Sequence, residues 1–296
     1  MKKSYLVLHT AVLLAGFTGI FGKLISLNEI PLVWFRVFFS SIILFFVVKK
    51  YGLEKLQSFS EIKTVSKPGI LITIHWVFFY ASIKYSNISI GVVCYCLTSF
   101  FTAIFEPIIN RKKFNITQIL LSLLTLLGIS LIFHFDSSYQ IGILLGVISS
   151  AFAALYTIYN ERLVLHYDSK LINYYQMLGG TIMLGILLPF YFYNFPNQNF
   201  IPNLQDTVYL LILASCCTVA LYVMFAETLK KVPAFTVNLT FNLEPIYSII
   251  LAFLFFDEGH SVNFSFYIGL GLVMTSVLLQ SIISLKENKT RLKSSH

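Results

Sequence analysis

The chain has 296 residues, and its composition excludes an ordinary water-soluble protein. Hydrophobic residues make up 57% of the chain and charged residues 11%, whereas soluble domains carry about 25% charged residues. A soluble fold needs polar side chains to cover its surface, and this chain has too few of them. The net charge of +8 does not indicate nucleic-acid binding, because the basic residues lie at the ends of apolar blocks.

Apolar blocks of about 20 residues recur along the chain, the length of a helix that crosses a hydrocarbon core of about 30 Å. The spans that they predict are 5–26, 31–49, 68–86, 89–109, 114–134, 139–160, 171–193, 206–229, 233–255 and 263–285. Transmembrane strands would instead show alternation over about ten residues, and none is sustained. The sequence therefore predicts an all-α integral membrane protein of ten transmembrane helices.

Two segments in the first 67 residues need a separate interpretation: the apolar run at the N-terminus and the longest joint. The apolar run after Met1-Lys2-Lys3 extends through Ile25, too far for a cleaved signal peptide, so we expect a retained first helix. The longest joint, 50–67, has apolar residues three apart from Leu53 to Val65. That spacing predicts a short amphipathic helix on the membrane surface.

Basic residues are distributed unequally between the joints. If the N-terminus lies inside, then of the 21 Lys and Arg residues only Lys23 and Lys84 fall outside, and only Arg36 falls within a span. Lys and Arg concentrate in cytoplasmic joints, so both termini are predicted to be cytoplasmic. A missing span would put later basic clusters on the wrong side, which supports the count of ten.

The two halves of the chain are weakly similar. At an offset of 139 residues Ala15 and Thr18 align with Ala154 and Thr157, and at an offset of 146 residues Phe79 aligns with Phe225. Each half holds five spans, an odd number, so the halves insert with opposite orientations. Inverted repeats of this kind are typical of secondary transporters, whose substrate site lies near the membrane midplane. The pattern therefore predicts a carrier of a small molecule.

Several segments resemble the EamA group of the drug/metabolite transporter superfamily. The segments are Gly16 to Leu24 with Phe35-Arg36, Phe79 to Tyr85, Ala154 to Thr157 with Arg162-Leu163, and Leu243-Glu244-Pro245 with Phe256-Asp257-Glu258. The resemblance implies one EamA repeat in 1–135, a second in 139–285 and a cytoplasmic tail in 286–296. It also implies a multi-pass protein of the bacterial plasma (inner) membrane that exports amino acids, other metabolites or drugs.

The sequence departs from the family pattern at the fourth span. Thr98-Ser99 replaces the Thr-Pro often found there, and Arg111-Lys112-Lys113 replaces the usual acidic pair after it. Without that proline we expect a less kinked fourth helix, and hence a site without strict two-fold symmetry.

Glu244 is the strongest candidate for a site residue. It lies about 16 Å into its span at 1.5 Å per residue, near the midplane, where a carboxyl group is costly and is a functional candidate by default. Pro245 follows it and opens the local backbone. Glu244 either contacts a substrate amine or couples transport to protons, or it holds the kink as a neutral acid. Asn238 and Asn242 lie on another face and either contact substrate or bind neighbouring helices.

Aromatic residues and one arginine complete the set of substrate-binding candidates. Arg36 lies about five residues into the second span, where it either attracts an anionic substrate group or extends to the lipid headgroups. Trp76 and Tyr80 in the third span, Tyr95 in the fourth and Tyr222 in the eighth lie at similar depths. Together they would line an amphipathic cavity, although each residue alone is also consistent with packing.

Near the inner ends of their spans, two acidic residues stand close to basic ones. The sequence predicts that Glu161 pairs with Arg162 and that Glu227 pairs with Lys230 at the membrane interface.

The alternative function is an intramembrane enzyme that acts on lipid or lipid-linked substrates. It would need a nucleophile, metal or phosphate site, and the sequence has no Gly-x-Ser-x-Gly, His-Glu-x-x-His or Gly-rich phosphate loop. The four cysteines do not have zinc spacing. We therefore predict no catalytic residue, metal ligand or cofactor. The expected partners are a small-molecule substrate and the lipid bilayer, not nucleic acid, and a homodimer is left open.

Overall fold

The structure is a computed structural model that describes residues 2–133, 139–196, 198–256 and 264–294. All regular structure in these ranges is helical. The helices are α1 (Lys2–Leu24), α2 (Glu29–Lys50), α3 (Phe59–Lys84), α4 (Ile88–Tyr95), α5 (Leu97–Asn110), α6 (Ile116–Phe133), α7 (Gln140–Leu163), α8 (Ser169–Asn194), α9 (Leu204–Ala214), α10 (Leu221–Leu229), α11 (Ala234–Phe241), α12 (Glu244–Phe256) and α13 (Phe264–Ser294). A π-helical turn, Ser215–Ala220, joins α9 to α10. Asp257 and Glu258, which contribute to the family resemblance, lie outside the described residues.

Within the described ranges, 6 helical stretches are long and apolar enough to cross a membrane, judged by length and composition. They are Ser4–Leu24, Glu29–Lys50, Ile88–Asn110, Gln140–Leu163, Ser169–Asn194 and Leu204–Leu229. Shorter apolar helices cover Ile116–Gly128 and Tyr267–Ser276. The chain is thus a multi-pass helical membrane protein, and the full count of ten spans stays a prediction.

The joints of the chain gather at two ends of the helical bundle. At one end, which we call the far end, the backbone N–H and the hydroxyl of Ser26 donate to the carboxylate of Asp206 over 2.9 and 2.5 Å, so α1 ends where α9 begins. At the other end, the backbone N–H of Ala234 donates to Glu161 over 3.0 Å, so α7 ends where α11 begins. We call this second end the basic end, because it carries the joints 111–115, 164–168 and 230–233. Helices α1 and α7, which begin the two halves, therefore run in opposite directions.

Two helical spans are interrupted near the middle of the bundle. The first break lies at Cys96, whose N–H bonds Val93 O at 3.0 Å, and the second lies at Asn242, whose N–H bonds Leu239 O at 3.1 Å. Each bond links residues three apart, which tightens the turn and ends the α-helical pattern. The breaks fall 146 residues apart, the offset of the sequence repeat. A tightened turn at Cys96 thus interrupts the fourth span without a proline, and the expectation of a less kinked fourth helix stays a prediction.

Helix α3 is longer than the sequence pattern predicts. It begins at Phe59, after Ser58 accepts a hydrogen bond from Ser60 N over 3.3 Å, and it continues through Pro68 to Lys84. The prediction of a separate surface helix within 50–67 is wrong, because its second half forms the first turns of α3. Residues 53–58 have no regular structure. The three-residue spacing was a helical signal, but it belonged to the following span.

Close packing between α3 and α7 depends on small residues. The Ser82 hydroxyl donates to the Gly142 carbonyl oxygen over 2.7 Å. A Cβ atom added at Gly142 would lie 2.6 Å from the Cβ of Ser86, closer than packed carbon atoms approach. Small residues allow this kind of close helix–helix approach in membranes.

Replacing Gly142 with valine should therefore destabilise the α3–α7 interface. Overpacking typically costs about 1–3 kcal/mol, so the midpoint of thermal unfolding in detergent should fall by several degrees. Gly271→Val is the matched control, because a Cβ at Gly271 has nothing within 4 Å. Equal unfolding midpoints for the two variants would contradict the packing described here.

Candidate functional site

A closed cavity lies at the centre of the bundle, next to both helix breaks. Its free volume is about 20 Å³, enough for a water molecule but not for a metabolite. Its lining residues are Ala15, Thr18, Arg36, His75, Trp76, Phe79, Tyr95, Leu221, Tyr222, Phe241 and Glu244. The cavity must therefore enlarge before it can hold a substrate.

Arg36 lies inside the protein, with its side chain fully buried. Its Nε donates to Thr218 Oγ1 at 2.8 Å, Nη1 donates to the Tyr80 hydroxyl at 2.9 Å, and Nη2 donates to Cys217 O at 3.0 Å. The guanidinium carbon lies 3.8 Å from the centroid of the Trp76 ring, a cation–π contact. The alternative in which Arg36 extends to the lipid headgroups is wrong, because every one of these partners is internal.

The π-helical turn provides one of the arginine's acceptors. In an α-helix the Leu221 N–H would bond Cys217 O, but here it bonds Cys216 O and Thr218 O. The Leu221 N–H thus does not occupy the carbonyl oxygen of Cys217, which accepts from Arg36 Nη2. π-Helical turns often mark functional positions, and this one has a definite structural effect, because it converts a helix backbone into a ligand for a buried cation.

Glu244 faces the same cavity and is 4% exposed. It is the first residue of α12, where a carboxyl group is favourably placed relative to the helix dipole. Pro245 follows in the first turn, where a proline removes no helical hydrogen bond. The helix break therefore lies before Glu244, at Asn242 and Leu243. Among the described residues, no salt bridge within 4 Å joins Glu244 to a basic side chain.

Trp76 and Tyr222 form a pair across the two halves of the chain. Trp76 Nε1 donates to the Tyr222 hydroxyl at 3.2 Å, and the ring centroids lie 5.1 Å apart at 88°. The two residues are 146 positions apart, so the sequence repeat relates them. Tyr95 also lines the cavity, and its ring centroid lies 5.3 Å from that of His75. The aromatic candidates from three different spans thus meet at one cavity, and their binding role stays a prediction.

The remaining three candidates lie outside the cavity lining. Tyr80 lies behind Arg36 and bonds to it. Asn238 Nδ2 donates to Thr102 Oγ1 at 2.8 Å, and Asn242 Nδ2 donates to Ser99 Oγ at 3.1 Å. Both asparagines therefore connect α11 and its break to α5, the helix-binding alternative stated for them above.

Sequence reasoning missed the partners of Arg36. The Thr218 hydroxyl and the Cys217 carbonyl lie in an apolar run without any motif that predicts a π-helical turn. Phe241 and Thr18 also line the cavity. Phe241 lies in the same helix as the candidate Asn238, whereas the helix of Thr18 carried no candidate.

The predicted ion pairs at the basic end have different outcomes. Lys230 Nζ lies 2.7 Å from Glu227 Oε1, which confirms that pair. Glu161 instead accepts from the N–H of Ala234, and Arg162 donates to Asn110 Oδ1 at 2.9 Å. The prediction for Glu161 and Arg162 is wrong, because each finds a closer partner on another helix. Within the ranges that the structure describes, no group of three or more His, Cys, Asp or Glu is placed to hold a metal ion.

Comparison with known proteins agrees with the fold. The model of the EamA-like transporter family matches the chain twice, over residues 2–134 and 140–282. An uncharacterized transporter of Clostridium kluyveri is 23% identical over 98% of this chain and 95% of its own length. An uncharacterized transporter of Archaeoglobus fulgidus is 24% identical over 87% of this chain and 90% of its own length. A solved crystal structure superposes with a TM-score of 0.72 at 12% identity, over 95% of this chain and 98% of that one, which supports the fold alone.

The contact between Arg36 and Tyr80 can be tested without a substrate. Tyr80→Phe removes the acceptor of Nη1 and leaves the ring, so stability should fall by about 1.5–3 kcal/mol, the contribution of a hydrogen bond to a charged group. Thermal unfolding in detergent measures the change. Tyr193→Phe is the control, because Tyr193 is 86% exposed. In an Arg36→Lys background the effect of Tyr80→Phe should shrink, and an undiminished effect would contradict the contact.

Proposed function

Because the chain belongs to the EamA-like transporter family, we propose that it is a secondary transporter of a small metabolite, such as an amino acid or a related compound. The observation that carries this proposal is the central cavity, where a buried arginine and a buried glutamate face one enclosed space beside the breaks in two helical spans. Broken helices at a central site between inverted repeats are typical of secondary transporters.

The charges at the cavity favour a zwitterionic substrate. An arginine side chain has five N–H donors, and Arg36 uses three in the bonds described. The others are free to bind a carboxylate of the substrate, while the Glu244 carboxyl can bind its amino group. The surrounding rings of Trp76, Tyr95 and Tyr222 would contact the apolar part. A substrate with both charges thus satisfies both residues at once.

Alternating access explains why the cavity is closed. A site of this volume cannot hold a metabolite until one end opens, and opening both ends together would make a pore. In inverted repeats one half moves against the other about a fixed central site. We propose that the halves 1–135 and 139–285 move in this way, and that the direction is export.

The proposed membrane arrangement follows from the distribution of basic residues. The chain would cross a bacterial plasma membrane ten times, with both termini and the basic end in the cytoplasm. The far end would then face outward. No feature of the cavity favours the alternative of an intramembrane enzyme.

Reporter fusions test this arrangement. Reporters fused at the joints near 87, 137, 200 and 260 should all indicate an external location. Reporters fused near 113, 166 and 231 should indicate a cytoplasmic location. A cytoplasmic signal at residue 200 would contradict the inverted orientation of the two halves.

Transport by proteoliposomes tests the function. The purified protein should move at least one of the twenty ¹⁴C-labelled amino acids, in uptake and efflux arms with and without a pH gradient. Glu244→Gln should weaken the apparent affinity by about tenfold or more, since a charge-assisted hydrogen bond contributes about 1.5–3 kcal/mol, or it should abolish any pH dependence. Glu54→Gln, at an exposed position, is the control.

Analogues of the transported amino acid test the zwitterion. The methyl ester, which lacks the carboxylate that Arg36 would bind, and the N-acetyl derivative, which lacks the ammonium group that Glu244 would bind, should each compete at least tenfold less well than the parent. Equal competition by either analogue would remove the corresponding residue, Arg36 or Glu244, from the proposed site.

A further inference from the structure

A second cavity lies at the basic end, between the ends of α5, α7 and α10 and the start of α11. Its volume is about 520 Å³, within the range of small-molecule sites. Its ten lining residues are Asn110, Lys112, Glu161, Arg162, Leu165, Leu229, Lys230, Lys231, Val232 and Pro233. Four of them are basic and one is acidic, and we call this cavity the basic vestibule.

The charge of the basic vestibule is only partly neutralised. Lys112 lies 3.1 Å from a Glu106 oxygen, and Lys230 is paired with Glu227. Arg162 donates to the neutral groups of Asn110 and Ile109. Neither Arg162 nor Lys231 forms a salt bridge within the described part of the chain. The cavity thus keeps a positive field, which attracts anions.

Two helices extend from the basic vestibule to the central cavity. On α10, Tyr222 lines the central cavity and Leu229 lines the vestibule, seven residues further on and on the same face. On α11, Phe241 lines the central cavity, and Pro233, eight residues before it, lines the vestibule. Seven residues of helix span about 10 Å. The two cavities therefore lie one above the other along a single line through the bundle.

Three aromatic rings separate the two cavities. The ring centroid of Phe225 lies 5.9 Å from that of Tyr156 and 5.5 Å from that of Phe241. Phe225 lies between Tyr222 and Leu229 in α10, and all three rings are nearly fully buried. We call Tyr156, Phe225 and Phe241 the aromatic layer. It contains packed rings rather than a network of hydrogen bonds, so it can open by rotating side chains.

We propose that the basic vestibule is the mouth through which carboxylate-bearing solutes reach the central cavity, and that the aromatic layer is the gate between them. This inference rests on the proposed transport function and extends it to a recruiting site for anions and a defined barrier. Arg162 and Lys231 bind the carboxylate first. Movement of Phe225 then connects the vestibule to Arg36, which receives the same group.

The first arm of the test measures the field of the vestibule. A cysteine at Leu165, a lining residue that is 68% exposed, is labelled with anionic methanethiosulfonate ethylsulfonate or its cationic trimethylammonium analogue. Each rate is divided by the rate for a free small thiol. The anionic reagent should react several-fold faster, and the ratio should fall toward one at high salt, where screening acts within a few ångströms. Lys231→Gln should lower the ratio at low salt, whereas Lys63→Gln, at an exposed position outside the lining, should not.

The second arm measures the gate. A cysteine at Ala15, which lines the central cavity, should react slowly with the anionic reagent applied from the vestibule side. Phe225→Ala should raise that rate by about tenfold or more, the effect of removing a barrier of about 1.4 kcal/mol. Phe225→Leu, which preserves more of the packing, should raise it less. Phe152→Ala is the control, because Phe152 stacks on Phe78 at 6.3 Å and borders neither cavity. The chain without an added cysteine gives the background from its native thiols.

The outcomes separate this inference from the proposed function. Neither arm requires a substrate, so the expected labelling would support the vestibule and the gate even if no amino acid in the panel were carried. A charge ratio that Lys231→Gln leaves unchanged at low salt would overturn the vestibule, whether or not transport is detected. An unchanged rate at Ala15→Cys in both folded Phe225 variants would overturn the gate.

Discussion

The structure depends on the burial of Arg36. Moving a guanidinium group out of water is expensive unless hydrogen bonds and opposing partial charges replace the lost solvent. Here α3 supplies the Tyr80 hydroxyl and the Trp76 ring, and the π-helical turn supplies Thr218 and a backbone carbonyl. None of these partners carries a charge. The arginine therefore fixes the positions of three helices and still has an unsatisfied preference for an anion.

This constraint also explains the π-helical turn. In a regular α-helix through 215–220 the Cys217 carbonyl would accept from the Leu221 N–H, so the arginine would have to share that acceptor. The turn gives up regular helix geometry, which is unfavourable locally, in exchange for solvating a buried charge. A residue inserted or deleted in that turn would rotate the rest of α10, including Tyr222 and Phe225, about its axis. The arrangement of the central cavity and that of the gate are thus linked through one local irregularity.

Much of the fold could be predicted from the sequence because membrane spans leave a strong signal. The apolar blocks and the basic joints located most helices, and the weak repeat gave an offset of 146 that the structure reproduces at the breaks of Cys96 and Asn242. The break at Cys96 could not be predicted, since a tightened turn needs no proline. The sequence analysis did not predict that α3 begins at Phe59. Two helical turns with mixed apolar and polar residues show the same sequence pattern in a separate surface helix and in the first part of a membrane span.

The candidate site was predictable only in part, and for a related reason. Costly side chains in apolar runs, Arg36 and Glu244, stand out in a sequence, and the structure brings them to one cavity. Their partners do not stand out, since backbone carbonyls and threonine hydroxyls occur in every span. The sequence also left open whether Asn238 contacts a substrate or a neighbouring helix. In the structure its side chain forms hydrogen bonds with Thr102 and Thr157.

The two ends of the central cavity differ in the contacts that close them, because only the basic end adds the aromatic layer to its hydrogen bonds. The far end is held by hydrogen bonds, such as those of Ser26 with Asp206, and by the bond of Lys84 to the Leu27 carbonyl. At the basic end hydrogen bonds of Ala234 with Glu161 and of Arg162 with Asn110 also join helices, and the aromatic layer adds packed rings. Hydrogen bonds need aligned partners and are lost together when two helices separate, whereas packed rings can slide and rotate while they stay in contact. This difference would allow one end to open while the other stays intact.

The separation of Arg36 from Glu244 has a consequence for selectivity. An ion pair between them would satisfy both charges internally, and any substrate would first have to break it. Because no such pair forms within 4 Å in the described structure, each group keeps capacity for a ligand, and the ligand that relieves both is one that carries both charges. The closed cavity would therefore discriminate between solutes. A molecule with a single charge would leave one buried group without a partner, and the unfavourable free energy of that unpaired group would weaken its binding.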